Sequence, residues 1–198
     1  MKAILEHLEI NHTESVGEAA FYGPKLDIQI KNVHGKEDTL ITIQIDFQLA
    51  ERFGMEYIDQ DGSKKHPYVI HRTSIGCYER TLALLIEKYA GAFPTWLAPV
   101  QVSVMAISQK HHDYANSVYK KLIENGIRAE IDIRNEKIGY KIREAQLQKI
   151  PYMLVLGDKE AETGEVAVRA RIEGQGGTMP LDMFIEKINE EVKNRVLN

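Results

Sequence analysis

Two stretches of this chain concentrate side chains equipped to do chemistry. In the first, Thr42, Gln44 and Asp46 alternate with Ile41, Ile43 and Ile45. Alternation puts the three polar residues on one face of a strand, where they either meet solvent or line a polar site. Tyr22 and Lys25 precede them; His71-Arg72 and then Ser74-Ile75-Gly76-Cys77-Tyr78-Glu79-Arg80 follow. A fixed guanidinium such as Arg80 can stabilise negative charge spread over phosphates. Small residues such as Gly76 and Cys77 let backbone come close to a ligand. Taken singly, these signals are weak. A Gly-x-x-Glu-Arg string is more often a solvated ion pair at a helix start, a lone His is more often structural, and a lone Cys more often a small buried hydrophobe. The second stretch is Arg134–Lys149. Arg134, Lys137, Lys141, Arg143 and Lys149 stand there against Glu136 and Glu144, a local excess of three positive charges in a chain of net charge −4. Helical spacing assigns Ile138, Ile142 and Ala145 to a buried stripe and Lys137, Lys141, Glu144 and Gln148 to a wet one. Such a stripe is either a plain solvated face or a surface for phosphates.

Alternating patterns must position these groups. Leu26, Ile28 and Ile30 alternate with Asp27, Gln29 and Lys31, and Ile41–Ile45 behaves likewise, with Gly35 between. An antiparallel hairpin is expected. Gln60–Lys65 is a turn, and Tyr68–Ile70 a further strand. From Ile75 the apolar residues recur every three to four positions, which predicts a helix ending near Gly91. Met1–Ile10 suggests a short peripheral helix and Asn11–Gly23 a loop. Pro94 and Pro99, around Trp96, mark a boundary between domains of residues 1–95 and 96–198. Beyond it, strands over 100–107, 128–133, 153–156 and 166–172 alternate with helices over 112–125, 138–149 and 180–196. That order implies an α/β fold with a mixed, mainly parallel sheet. Gly174–Gly177 looks like a flexible loop.

Composition excludes some classes. The chain has 198 residues, 43% of them hydrophobic and 27% charged, the make-up of a folded globular protein. Its acidic total argues against general coating of a phosphate backbone but leaves room for local basic patches. One cysteine, Cys77, allows no internal disulfide framework and fits a reducing cytoplasm. No apolar run approaches the roughly 20 residues of a membrane span, and the first ten residues are not those of a signal peptide.

The segment Ser74–Arg80 resembles motif 3 of class II aminoacyl-tRNA synthetases. Phe21-Tyr22-Gly23-Pro24-Lys25, Gln44-Ile45-Asp46-Phe47, Ile70-His71-Arg72 and Phe93-Pro94-Thr95-Trp96-Leu97-Ala98-Pro99 occur in the order found in the threonyl-tRNA synthetase family. Arg134-Asn135-Glu136-Lys137-Ile138-Gly139-Tyr140-Lys141-Ile142-Arg143-Glu144 matches that family's anticodon-domain signature. The likeness covers essentially the whole chain, most clearly Gly17–Val168. It implies the end of a class II antiparallel-sheet catalytic domain, followed by an α/β anticodon-binding domain.

The same resemblance implies roles. Tyr22 would face the threonine side of the substrate, Lys25 would be a nearby cation, and Gln44, Gly76, Cys77 and Arg80 would serve ATP and the adenylate. Cys77 stands where the family is expected to carry a hydroxyl residue. His71 would be one ligand of a zinc ion that separates threonine from nearly isosteric valine, a task a plain pocket performs poorly. Asn135, Arg143, Glu160 and Arg169 would read splayed anticodon bases along their edges, with Lys137 and Lys141 on phosphates. The intact enzyme would join threonine to tRNA-Thr with ATP and magnesium, as a homodimer. Motifs 1 and 2, the other two zinc ligands and an editing domain are expected upstream of Met1. Alone, this chain is therefore expected to hold no cofactor and to have lost catalysis while keeping anticodon recognition. The competing readings are a free-standing, non-catalytic tRNA-binding or regulatory paralogue and, more remotely, a small-molecule sensor.

Overall fold

In the computed structural model, which describes residues 1–172 and 174–197, the chain divides into two compact units, Met1–Glu87 and Lys88–Asn198.

The first unit opens with helix α1 (Lys2–His7), which buries Leu5. Strands β1 (Lys25–Lys31) and β2 (Glu37–Asp46) form the expected antiparallel hairpin, pairing Leu26 with Ile43 and Ile28 with Ile41. Asn32 builds the turn: its Oδ1 accepts from the backbone N–H groups of His34 and Lys36, and Gly35 supplies φ +76°. A short helix, α2 (Leu49–Arg52), follows β2. The turn expected over Gln60–Lys65 closes a small hairpin of β3 (Tyr57–Ile58) and β4 (Lys64–Lys65). Strand β5 (Val69–Arg72) then pairs with the other edge of β2, giving a sheet ordered β1-β2-β5. Helix α3 (Tyr78–Tyr89) starts three residues later than its apolar spacing suggests, so Ile75, Gly76 and Cys77 lie in the loop before it. Its apolar residues recur at helical spacing, yet α3 has no buried residue.

The second unit holds a five-stranded sheet in the order β10-β9-β8-β6-β7. It is built from β6 (Val102–Ala106), β7 (Ala129–Asp132), β8 (Tyr152–Leu156), β9 (Glu165–Ala170) and β10 (Gly174–Pro180). The pairings of β6 with β7 and β8 are parallel; those of β8 with β9 and β9 with β10 are antiparallel. The sheet is thus evenly mixed rather than mainly parallel. The cause is β10: the glycine-rich segment expected as a loop pairs through its backbone with β9, an edge position that demands no apolar alternation. Helices α4 (His112–Glu124) and α7 (Leu181–Lys193) cover one face, where Val118, Leu122, Phe184 and Ile188 meet Val104, Leu154 and Val168. Helix α5 (Ile138–Leu147) covers the other, where Ala145 packs with Met105 and Met153. A six-residue helix, α6 (Asp158–Thr163), follows β8. Residues 92–99 are tied into this unit: the Thr95 carbonyl accepts from the buried Gln101 amide, and Arg128 donates to the carbonyls of Ala98 and Trp96.

Candidate functional site

Strand register assembles the polar groups of the first unit. Lys25 pairs with Gln44, and Gln44 pairs with His71, so one row crosses all three strands. Tyr22 completes it, its hydroxyl donating to Gln44 Oε1 at 2.6 Å and its ring meeting that of His71 edge-on at 6.2 Å. Tyr22 is held there because the chain before β1 runs along β2: Phe47 N–H donates to the Tyr22 carbonyl and Ile45 N–H to that of Pro24. Gly23 makes this approach possible, since a Cβ there would lie 2.0 Å from the Ile45 carbonyl oxygen. The face of Thr42, Gln44 and Asp46 thus lines a polar cluster.

Two carboxylates brace that cluster, and the spacing of the sequence did not single out either for a role. Asp46 is buried; its Oδ1 accepts from the N–H groups of Gln48 and Leu49, and its Oδ2 stands 3.1 Å from His71 Nε2. Burial pushes its carboxyl up, but these hydrogen bonds hold it below the usual range. Asp27 accepts from Lys25 Nζ at 2.7 Å and from Thr42 Oγ1 at 2.7 Å. Its burial is likewise outweighed, first by Lys25 and then by Thr42, so its carboxyl is lowered and the Lys25 ammonium is raised. The period-two pattern puts Asp27 and Asp46 on this face, and Asp46 also stands in the Gln44–Phe47 motif, but neither signal assigns a role.

Motif 3 residues lie elsewhere. Arg80 Nη1 donates to the Thr39 carbonyl at 2.9 Å, five residues before Gln44 on β2. Five extended residues span about 17 Å. Gly76, at φ +73°, faces the strand itself: a Cβ would fall 2.1 Å from the Leu40 carbonyl oxygen. Its glycine requirement comes from the protein's own backbone. Cys77 is exposed rather than buried, and its thiol donates to Glu79 Oε2 at 2.9 Å, holding that carboxyl below its usual range. For a metal the residues present do not fit: no group of three or more His, Cys, Asp or Glu capable of holding an ion occurs among the described residues, and His71 Nε2 already faces Asp46.

In the second unit the candidate residues gather around α5 and the strand ends near it. Asn135 is exposed in the bend after β7, Lys137 is exposed at the N-cap of α5, and Arg143 is exposed on that helix. Glu160 turns inward as a cap, its Oε2 accepting from Gly157 N–H at 3.0 Å. Arg169 pairs with Met153, close to the start of β8, so its backbone is level with the opposite end of that strand from Glu160. The two are therefore not on one edge of the sheet. Arg169 Nε is buried and has no hydrogen-bond partner among the described residues. Lys141 corrects the sequence reading outright. It belongs to the buried side of α5, 2% exposed, and its Nζ donates to the carbonyls of Ala106 at 3.0 Å and Asp132 at 3.1 Å. An ammonium enclosed by carbonyls is not offered to a phosphate. Helical spacing misplaced it because a lysine stem packs like an apolar side chain once its head finds acceptors.

Comparison with known proteins bears on both units. Residues 1–89 match the tRNA synthetase class II core domain (G, H, P, S and T), and residues 101–191 match the anticodon binding domain. The chain belongs to the class II aminoacyl-tRNA synthetases. It is 66% identical over 195 residues to a threonine–tRNA ligase of Clostridium perfringens and 63% identical over 195 residues to one of Clostridium botulinum. Each match takes in 98% of this chain and 30% of the relative, so the chain spans under a third of the length of these proteins. Among solved structures it resembles the RNA binding domain of threonyl-tRNA synthetase from Cryptosporidium parvum Iowa II, with a TM-score of 0.83 and 36% identity, over 96% of this chain and 48% of that one. No helix among the described residues is long and apolar enough to cross a membrane.

Proposed function

We propose that this chain is the C-terminal portion of a threonine–tRNA ligase and that its second unit recognises the anticodon of tRNA-Thr. The observation that carries this is the 66% identity to a threonine–tRNA ligase across 98% of the chain, which includes both the class II core match and the anticodon-domain match. In the intact cytoplasmic, homodimeric enzyme, threonine would be activated by ATP with magnesium and passed to tRNA-Thr. Tyr22, Gln44 and Lys25 would then line the side of the site where amino acid and adenylate bind. Asp46 would hold His71 in orientation, and Arg80 would meet nucleotide phosphates. Zinc enters this reading only through the resemblance. His71 would be one ligand, and the described residues of this chain do not complete a site by themselves.

Recognition of the anticodon rests on Asn135 and Arg143, which are exposed, and on Arg169, whose buried Nε has no hydrogen-bond partner among the described residues. Asn135 offers a donor and an acceptor, Arg143 a forked set of donors, and Arg169 an orphaned Nε. Glu160 would have to divide its acceptors between a base and the Gly157 N–H. Lys137, exposed beside Asn135, is the phosphate contact. The test is binding of the chain to tRNA-Thr and to the same tRNA with a swapped anticodon, at one fixed salt concentration because the electrostatic part of affinity is salt-dependent. Preference for the native anticodon is expected; equal affinity would overturn the proposal. Threonine-dependent ATP–pyrophosphate exchange by the pure chain is expected to stay at background, and one zinc ion retained per chain and lost on His71→Ala would show that the site had been misjudged.

A further inference from the structure

We propose that Lys141 is a positioning residue for base reading: its buried ammonium locks the ends of β6 and β7 and, through Asp132 and Arg134, sets the bend that presents Asn135. This rests on the anticodon reading above and adds a residue to it that touches no RNA.

The argument begins with the oddity of the charge. Lys141 sits in a stripe with Ile138, Ile142 and Ala145, which with Met105 and Met153 make an apolar layer. Packing alone would accept an apolar side chain there. A buried ammonium is costly unless it is paired and its donors are used. It also lies near the N-terminus of α5, where the helix dipole disfavours positive charge. Its contacts supply the compensation. The β6–β7 ladder ends with Met105 opposite Asp132. There the ammonium takes the Ala106 carbonyl from one strand and the Asp132 carbonyl from the other, with Asp132 Oδ1 at 3.7 Å.

Asp132 passes the restraint on. Its Oδ1 accepts from Arg134 N–H at 3.1 Å and Nε at 3.0 Å, and its Oδ2 from Nη2 at 2.6 Å. The same Nη2 donates to Glu144 on α5. Burial raises the Asp132 carboxyl, but Arg134 and then Lys141 more than reverse this. Two cations and two carboxylates thus form a charge-neutral series of contacts, Lys141–Asp132–Arg134–Glu144, that ties the end of β7 to α5 on either side of residues 133–137. Asn135 lies in the chain between those tied points, exposed, with no side-chain hydrogen bond of its own among the described residues. Its place is set by what brackets it. A site held by side chains locked in this way keeps its geometry before the ligand arrives.

The experiment uses the full 198-residue chain, with Lys141→Met as the variant and two probes, the anticodon stem-loop of tRNA-Thr and the same stem-loop with a swapped anticodon. Lys141→Met should bind the cognate loop roughly tenfold more weakly, the scale of one lost base-edge contact, with affinity for the swapped loop changed less than about twofold. Asn135→Ala should then cost little in the Lys141→Met background, because the two act through one placement. If Lys141→Met does not fold, judged by circular dichroism, Lys141→Gln keeps donors without the charge and is expected to lose discrimination in the same way. A folded variant with unchanged discrimination, equal weakening on both loops, or additive losses with Asn135→Ala would overturn the positioning role. Failure of the anticodon reading shows itself differently: the unmodified chain would not distinguish the two loops, and the positioning role would fall with it.

Discussion

Ile43 on β2 and Leu154 on β8 hold the same kind of place, an apolar position on a strand paired along both edges, yet Ile43 is only half-buried and Leu154 has no exposed surface. The contrast runs through the two units. In the first, Leu5, Asp46 and Ala50 are the buried residues among those described, while Ile28, Ile70, Leu82 and Ile86 face solvent. In the second, helices close both faces of the sheet. Alternation decides which side chains share a face; burial requires a second layer on that face. The polar row Lys25–Gln44–His71 therefore rests on a lightly packed scaffold, whereas the groups around α5 rest on a closely packed one. The proposed anticodon recognition would thus draw on the better-packed unit of the chain.

The largest test of that contrast is a matched pair of leucine truncations. Leu122→Ala on α4 removes a side chain with 0% exposure and should destabilise the second unit by about 2–5 kcal/mol. Leu82→Ala on α3, 53% exposed, should cost under about 1 kcal/mol. Trp96, the single tryptophan, reports the second unit, so urea unfolding followed by its fluorescence measures the first effect; amide exchange across β1, β2 and β5 measures the second. Equal costs would break the comparison.

Next in size is base reading. Arg143→Ala should lose about 1–3 kcal/mol on the cognate anticodon and relax discrimination, while Lys137→Ala should weaken all tRNAs alike and flatten the salt dependence. Binding isotherms at several salt concentrations separate the two. The same loss from both, on cognate and swapped anticodons alike, would leave no distinction between reading and phosphate contact.

A smaller effect concerns acid. The Asp132 carboxyl is held below its ordinary 3.8, so its contribution to stability is full above that pH and is lost as pH falls through the lower folded value. The unfolding midpoint of the unmodified chain should exceed that of Asp132→Asn by a constant amount from about neutral pH to about pH 5, and the gap should close below about pH 4. A gap that persisted in acid would mean that Arg134 and Lys141 do not depend on that charge. Smallest of all, Cys77→Ser should shift stability by no more than about 0.5 kcal/mol, as expected of an exposed site, and should abolish labelling by a thiol reagent. Poor labelling of the unmodified chain would show that the loop before α3 is better covered than the rest of its unit.

Much of this protein follows from its sequence alone. Period-two alternation determined the β1–β2 hairpin and the shared face of Thr42, Gln44 and Asp46, because side chains on a strand must alternate whatever surrounds them. The ordered motifs from Tyr22 to Arg143 determined the family, and the strand–helix order determined an α/β second unit. Tertiary structure alone decided the rest. It made Gly174–Pro180 a strand, since pairing with β9 is a backbone contact that its composition does not announce. It left α3 without a buried face, since spacing describes a stripe and not what covers it. It buried Lys141, because a long side chain on the rim of an apolar stripe goes wherever its head finds acceptors. Those acceptors, the carbonyls of Ala106 and Asp132, lie 35 and 9 residues away in the chain and meet only once β6 and β7 have paired.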